Sequence, residues 1–204
     1  MSAADGVGAF IARADPAFKP LQKQFGDLPT RPPADTHFVA LLRAIVFQQL
    51  AGKAAMAIYG RLSGLFDGAP TPEAVLAATE EQLRGVGLSG SKTRAVQDLA
   101  LKCSDGTVPL DDIHELSDAD VVTRLVQVRG IGRWTAEMFL MFQLDRPDVW
   151  PIDDYGVRNG YARIHKLERI PTPKELAPLG DVFRPYRSAA ARYCWRAVDA
   201  TTPD

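Results

Sequence analysis

The chain has 204 residues, 46% of them apolar and 24% charged, so it can bury a sizeable core and is not of the disordered class. Lys and Arg number 24 against 25 Asp and Glu, a net charge of −1, which excludes a globally basic histone-like protein but leaves room for a local basic face. Two cysteines, Cys103 and Cys194, cannot build a disulfide framework, a four-thiolate metal site or an iron–sulfur cluster. No apolar run approaches the roughly 20 residues of a membrane span. The segment Met1-Ser2-Ala3-Ala4-Asp5 lacks the basic-then-apolar order of a signal peptide. A soluble protein in the reducing cytoplasm is the expectation.

In chain order, residues 26–36 hold three prolines and read as a connector after an N-terminal helical piece, giving a segment 1–36 and a body 37–204. Residues 37–66 are apolar at helical spacing, with Arg43, Lys53 and Arg61 off the stripe. Thr71-Pro72 reads as an N-cap with proline at the first helical position. Thr79 with Gln82 fits a capping box. Ser91 to Cys103 is amphipathic and stops at the turn signal Ser104-Asp105-Gly106. Ser117 can cap the helix carrying Val121, Val122, Leu125 and Val126, and another helix follows Gly132. Asp153-Asp154 marks the next helix start, and a last long helix runs from about Arg184 to Asp199. Alternating β-branched runs are nearly absent, so the fold class is all-α.

Arg84-Gly85-Val86-Gly87 and Arg129-Gly130-Ile131-Gly132 are near-copies. The first reads as a helix-ending turn, for which glycine supplies the left-handed backbone. The second sits in LVQVRGIGRWTAEMFLMF (residues 125–142), where one apolar helix ends, a Gly-x-Gly turn follows and a second begins at once. Amides at such a helix start, aided by the dipole, suit an anion. They read no bases and so fit a nucleic-acid backbone. His37, His114 and His165 have no metal-ligand spacing.

This stretch resembles the helix–hairpin–helix of the base-excision DNA glycosylase superfamily. With PIDDYGVR (residues 151–158) it is similar to the 3-methyladenine DNA glycosylase II (AlkA-like) branch. Arg43 to Leu50, Gly87 to Ala95 and Arg184 to Ser188 resemble the same branch, so the likeness spans residues 37–200. It implies two helical subdomains with an active-site cleft between them. It implies a monofunctional enzyme that uses water, because Trp134 stands where bifunctional members place the Schiff-base lysine. No cofactor is implied for catalysis.

The resemblance assigns Asp154 as the catalytic carboxylate, with Asp153 capping the helix. Alkylation at N3 or N7 leaves a purine cationic and its glycosidic bond weak; a carboxylate stabilises the charge that develops on the sugar and orients a water. Base flipping costs a few kcal/mol, and Gln49 or Leu50, with Gln48 beside them at a helix end, are the candidate wedge. Trp134, Tyr186, Phe47 and Trp195 are candidate pocket walls, since a cationic base over an aromatic face gains roughly 0.5–2 kcal/mol. Gly130, Gly132 and Arg133, with Lys92 and Arg94, are candidate contacts to the DNA backbone. The main-chain carbonyls of Val126, Val128 and Ile131 are candidates for a monovalent or divalent cation that bridges to a phosphate. The implied partner is double-stranded DNA with alkylated bases, met by a monomer in the nucleoid. The other readings are a non-enzymatic helix–hairpin–helix DNA-binding module, and a glycosylase of different base specificity.

Overall fold

The computed structural model describes residues 6–28, 33 and 35–199. Among these there are helices and turns and no strand: α1 (Val7–Ala14), α2 (Lys19–Phe25), α3 (His37–Phe47), α4 (Gly52–Gly64), α5 (Pro72–Ala77), α6 (Glu80–Gly85), α7 (Gly90–Ser104), α8 (Asp118–Leu125), α9 (Arg133–Phe142), α10 (Tyr155–Ile164), α11 (Pro173–Leu179) and α12 (Arg187–Asp199). Short 3-10 turns occupy Pro16–Phe18, Ile113–Glu115 and Asp181–Phe183. None of these helices is long and apolar enough to cross a membrane.

The helix starts follow the capping chemistry of the sequence. Thr71 accepts the Ala74 amide, Ser117 accepts the Asp120 amide, and Thr79 with Gln82 forms the reciprocal box. Ser89 caps α7 through the Lys92 amide, two residues before the expected start. The apolar stretch 37–66 is two helices rather than one. It breaks at residues 48–51, where Gln49 takes a left-handed φ of 55°. The final helix begins at Arg187 rather than Arg184, because Pro185 holds Arg184 extended (ψ 138°). Of the connector 26–36, residues 29–32 and 34 lie outside the described residues.

The chain divides into two units. One comprises Pro32–Leu144, and the other joins Met1–Arg31 with Asp145–Asp204. A boundary after residue 36 does not capture this grouping, because the first two helices pack on the last one.

In the Pro32–Leu144 unit the core runs along α3, whose Phe38, Leu41, Leu42, Ile45 and Val46 are buried. Side chains of this size contribute about 1.5–3 kcal/mol each on full burial. α7 packs on α3 and α5 through Ala95, Val96, Leu99 and Ala100, and α8 packs on α9. Beneath the turn joining α8 to α9 lies α7: a Cβ on Gly130 would stand 3.1 Å from the Ala95 methyl.

In the other unit α10 lies directly against α12. A side chain on Gly160 would overlap the Cys194 carbonyl, so only glycine permits this approach. Phe18 is fully buried and meets Phe183 edge-on at 5.0 Å and Tyr193 at 6.4 Å. The Tyr193 hydroxyl donates to the Gly26 carbonyl at 2.5 Å, fixing the end of α2 to α12.

Candidate functional site

In the Pro32–Leu144 unit, α8 ends at Leu125 and α9 starts after Gly132. Gly130 has a φ of 81° and lies tight against Ala95, so glycine is required there twice over. Gly132 is different. Its φ is −94°, a Cβ there would meet nothing within 4 Å, and it caps α9 without any side-chain hydrogen bond. The start of α9 therefore has the amides of a helix end, and its N-cap residue sets no side-chain oxygen over them. Arg133 begins that helix. Its Nε donates to Glu137 Oε1 at 2.9 Å, so part of its charge is met by a buried carboxylate.

The turn that bears Gln49 and Leu50 is held from two directions. Gln48 Nε2 donates to the Gly130 carbonyl at 2.9 Å and to Thr135 Oγ1 at 3.4 Å. Lys92 Nζ donates to the carbonyls of Val46 and Gln48 at 2.6 and 2.7 Å. Burial pushes the Lys92 ammonium below its ordinary pKa. Two expectations change accordingly. Gln48 ties its turn to the hairpin rather than projecting as a wedge, and Lys92 closes the carboxyl end of α3 rather than facing a phosphate. Gln49 and Leu50 are exposed at the tip. Phe47 meets Tyr59 edge-on, and the Arg43 guanidinium lies over the Phe47 ring at 5.1 Å. One face of that ring already holds a cation, and like charge would oppose a cationic base there. Trp134 sits in the first turn of α9, 42% exposed. Arg94 is exposed on α7 at a shallow depression shared with Leu76, Asp98 and Arg129.

In the second unit Asp154 is the N-cap of α10. Its Oδ1 accepts the Val157 amide at 2.7 Å and the Trp195 indole N–H at 2.8 Å. The residue is buried, whereas Asp153 is exposed. The expected division of labour is thereby corrected: Asp154 itself caps the helix, because its backbone occupies the extended N-cap position (φ −70°, ψ 120°) one residue later than assumed. Trp195 is likewise more than a ring wall, for its N–H orients that carboxylate. Gly156 makes room for the pair, since a Cβ there would lie 2.8 Å from Trp195 Cδ1. Tyr186 packs edge-on against Phe10 at 5.2 Å. Asp148 brackets Tyr186 by pairing with Arg184 at 2.8 Å and with Arg187 at 2.7 Å.

A glycine-capped helix–hairpin–helix turn and a buried N-cap aspartate in one all-α chain have a counterpart among known proteins. Residues 42–185 match the model of the HhH-GPD superfamily base excision DNA repair protein. The chain belongs to this family. It is 38% identical over 169 residues to DNA-3-methyladenine glycosylase 1 of Schizosaccharomyces pombe, covering 80% of this chain and 74% of that protein. The structure of the Schizosaccharomyces pombe 3-methyladenine DNA glycosylase in complex with abasic DNA superposes with a TM-score of 0.82 at 36% identity, covering 93% of this chain and 95% of that one. DNA-3-methyladenine glycosidase from Bacillus halodurans superposes with a TM-score of 0.85 at 31% identity, covering 97% and 91%.

The chain also carries polar residues outside its motifs that shape these regions. Asp98 and Lys102 of α7 reach the hairpin turn: Asp98 Oδ2 accepts the Arg129 amide at 2.7 Å, and Lys102 Nζ donates to the Gln127 carbonyl at 2.5 Å. Their four-residue spacing was the available signal, since it places opposite charges on one helix face. Asp148 had no such signal, because its arginine partners lie 36 and 39 residues away.

Proposed function

We propose that this chain is a monofunctional DNA glycosylase that flips an alkylated purine, of the 3-methyladenine or 7-methylguanine type, out of duplex DNA and hydrolyses its glycosidic bond. The single observation that carries the reading is the placement of Asp154, a buried carboxylate whose orientation is set by a helix amide and the Trp195 N–H. In the reaction the bond from C1′ to the base nitrogen breaks and the base leaves with the electron pair, which neutralises its positive charge. Water adds to C1′ and its proton passes to the carboxylate and then to solvent. Asp154 offsets the positive charge on the sugar and orients that water.

The amides of Gly130 and Gly132 grip the phosphate backbone, with Arg133 and Arg94 beside them. Leu50 or Gln49 fills the gap left by the flipped base. Trp134 or Tyr186 supplies an aromatic face for the cationic base, the Arg43-covered Phe47 being the poorer candidate and Trp195 being engaged by Asp154. A cation at the hairpin fits the backbone there. Gln48 takes the Gly130 carbonyl and the Ile131 amide takes one lone pair of Val128, whereas Val126 closes α8, where helix carbonyls run out of partners. The carbonyls of Val126, Val128 and Ile131 would hold it, and it would supply positive charge to a DNA phosphate. Trp134 in place of an amine leaves no nucleophile for a Schiff base. Such an enzyme works as a monomer beside chromosomal DNA in the cytoplasm.

The test is base release from methylated duplex DNA under single turnover. Asp154→Asn is expected to slow release by at least about 100-fold, and the wild-type protein to leave abasic DNA uncut. Wild-type release by the Asn variant would overturn the mechanism. Strand cleavage at abasic sites would overturn the monofunctional reading.

A further inference from the structure

The hairpin turn owes part of its shape to two side chains of a neighbouring helix. Asp98 and Lys102 stand one turn apart on α7 and form an ion pair of 2.9 Å, each about three-quarters buried. Asp98 Oδ2 also takes the Arg129 amide, and Lys102 Nζ also takes the Gln127 carbonyl. Both contacts fall on the backbone between the end of α8 and Gly130. From the same helix, Lys92 holds the Gln48 carbonyl, and Gln48 in turn holds the Gly130 carbonyl. Helix α7 thus touches the hairpin directly at two backbone groups and through Gln48 at a third.

We propose that Asp98 and Lys102 are positioning residues for the DNA-backbone grip, fixing residues 127–130 so that the amides preceding α9 present one shape to a phosphate. The inference rests on the DNA-binding reading of the hairpin and adds to it the residues that keep the turn shaped. Burial opposes the charge on Asp98, but the Arg129 amide and the Lys102 ammonium hold its carboxyl below the usual carboxylate range. The Asp98 carboxylate is therefore charged at neutral pH.

The sign of one substitution separates positioning from plain electrostatics. Asp98→Ala removes a negative charge close to where a phosphate would lie. If charge alone mattered, binding would tighten or stay the same. Positioning predicts the reverse: affinity for a duplex carrying a tetrahydrofuran abasic-site analogue falls about tenfold, the size expected when a charge-assisted hydrogen bond is lost. Base release at saturating enzyme is expected to change less than about twofold, so the defect lies in binding. In the protein alone, amide hydrogen exchange at Arg129 to Ile131 is expected to quicken by at least about tenfold. Lys102→Met is expected to give both effects. Asp98→Asn, which keeps an oxygen for the Arg129 amide, is expected to lose less than Asp98→Ala and serves if the alanine variant fails to fold.

Unchanged or tighter binding by the Asp98 variants, with unchanged exchange, overturns the proposal. Weaker binding by Lys102→Met without faster exchange also overturns it, because that pattern marks a direct phosphate contact. If the wild-type protein neither binds the duplex nor releases methylated purines, the glycosylase reading fails, while the exchange measurement still decides what Asp98 and Lys102 do to the turn.

Discussion

Helices α9 and α10 begin in opposite ways. At α9 the N-cap is Gly132, with no side chain to offer; at α10 it is Asp154, whose carboxylate accepts the amide three residues on. The electrostatics are the same at both ends, an excess of amide hydrogens and a positive dipole terminus. The difference lies in where the negative partner comes from. α10 carries its own and holds it in place with Trp195. The N-cap of α9 supplies none, and the proposed partner there is an external anion, a DNA phosphate. One rule of helix ends thus serves the proposed binding in one unit and the proposed chemistry in the other.

Turning the first helix end into a copy of the second should break this contrast most severely. Gly132→Asp is sterically open, with a permissive φ and no atom within 4 Å of the new Cβ. The new carboxylate should cap α9 and leave the melting temperature unchanged or higher, because aspartate ranks above glycine as a cap. Duplex DNA affinity should nevertheless fall by about 10- to 100-fold in a binding titration, as a fixed anion competes with and repels the phosphate. Unchanged affinity would separate the α9 terminus from DNA binding.

A milder change sharpens the other side. Trp195→Phe keeps a ring against Gly156 but removes the N–H on Asp154. Single-turnover base release should slow about tenfold, the cost of one hydrogen bond to a charged group, with DNA affinity preserved. A wild-type rate would mean that the carboxylate is oriented without the indole N–H.

The smallest effect belongs to an acid that sits at neither helix start. Burial works against the charge of Asp148, but Arg187 and Arg184 outweigh it and hold the carboxyl below its usual range. Its folded pKa is thus lower than its unfolded one. The stability it contributes is full above about pH 4 and is lost as pH falls through the depressed folded value. Asp148→Asn should cost about 1 kcal/mol or less at neutral pH, since the pair is partly solvated. In urea melts the gap from wild type should close in acid. A constant gap across pH would show that the ion pair contributes nothing.

Much of the fold was legible locally. Thr71, Thr79 and Ser117 announced their helices because a cap bonds within three residues of itself. The hairpin was legible for the same reason: a Gly-x-Gly turn between two apolar helices is a short-range pattern. Of the two Arg-Gly-x-Gly copies, though, the left-handed glycine is Gly87, the last residue, in the first, and Gly130, the first glycine, in the second. In the first, α6 runs into the motif as far as Gly85, while α8 stops at Leu125, four residues before Arg129. Helix register, which identical letters do not carry, sets the difference.

Local spacing therefore determined that the chain is helical, where most helices begin, and that the 125–142 hairpin deserves a functional reading, while the family resemblance singled out Asp154. Only the tertiary structure decided which aspartate caps α10, that Trp195 orients it across 41 positions, that Lys92 and Gln48 brace a turn, and that Asp98 and Lys102 shape another. The physical reason is range. Capping and amphipathic periodicity are settled within one or two helical turns, whereas the partner of a buried polar side chain is chosen by whichever distant backbone or ring the packing brings within 3 Å.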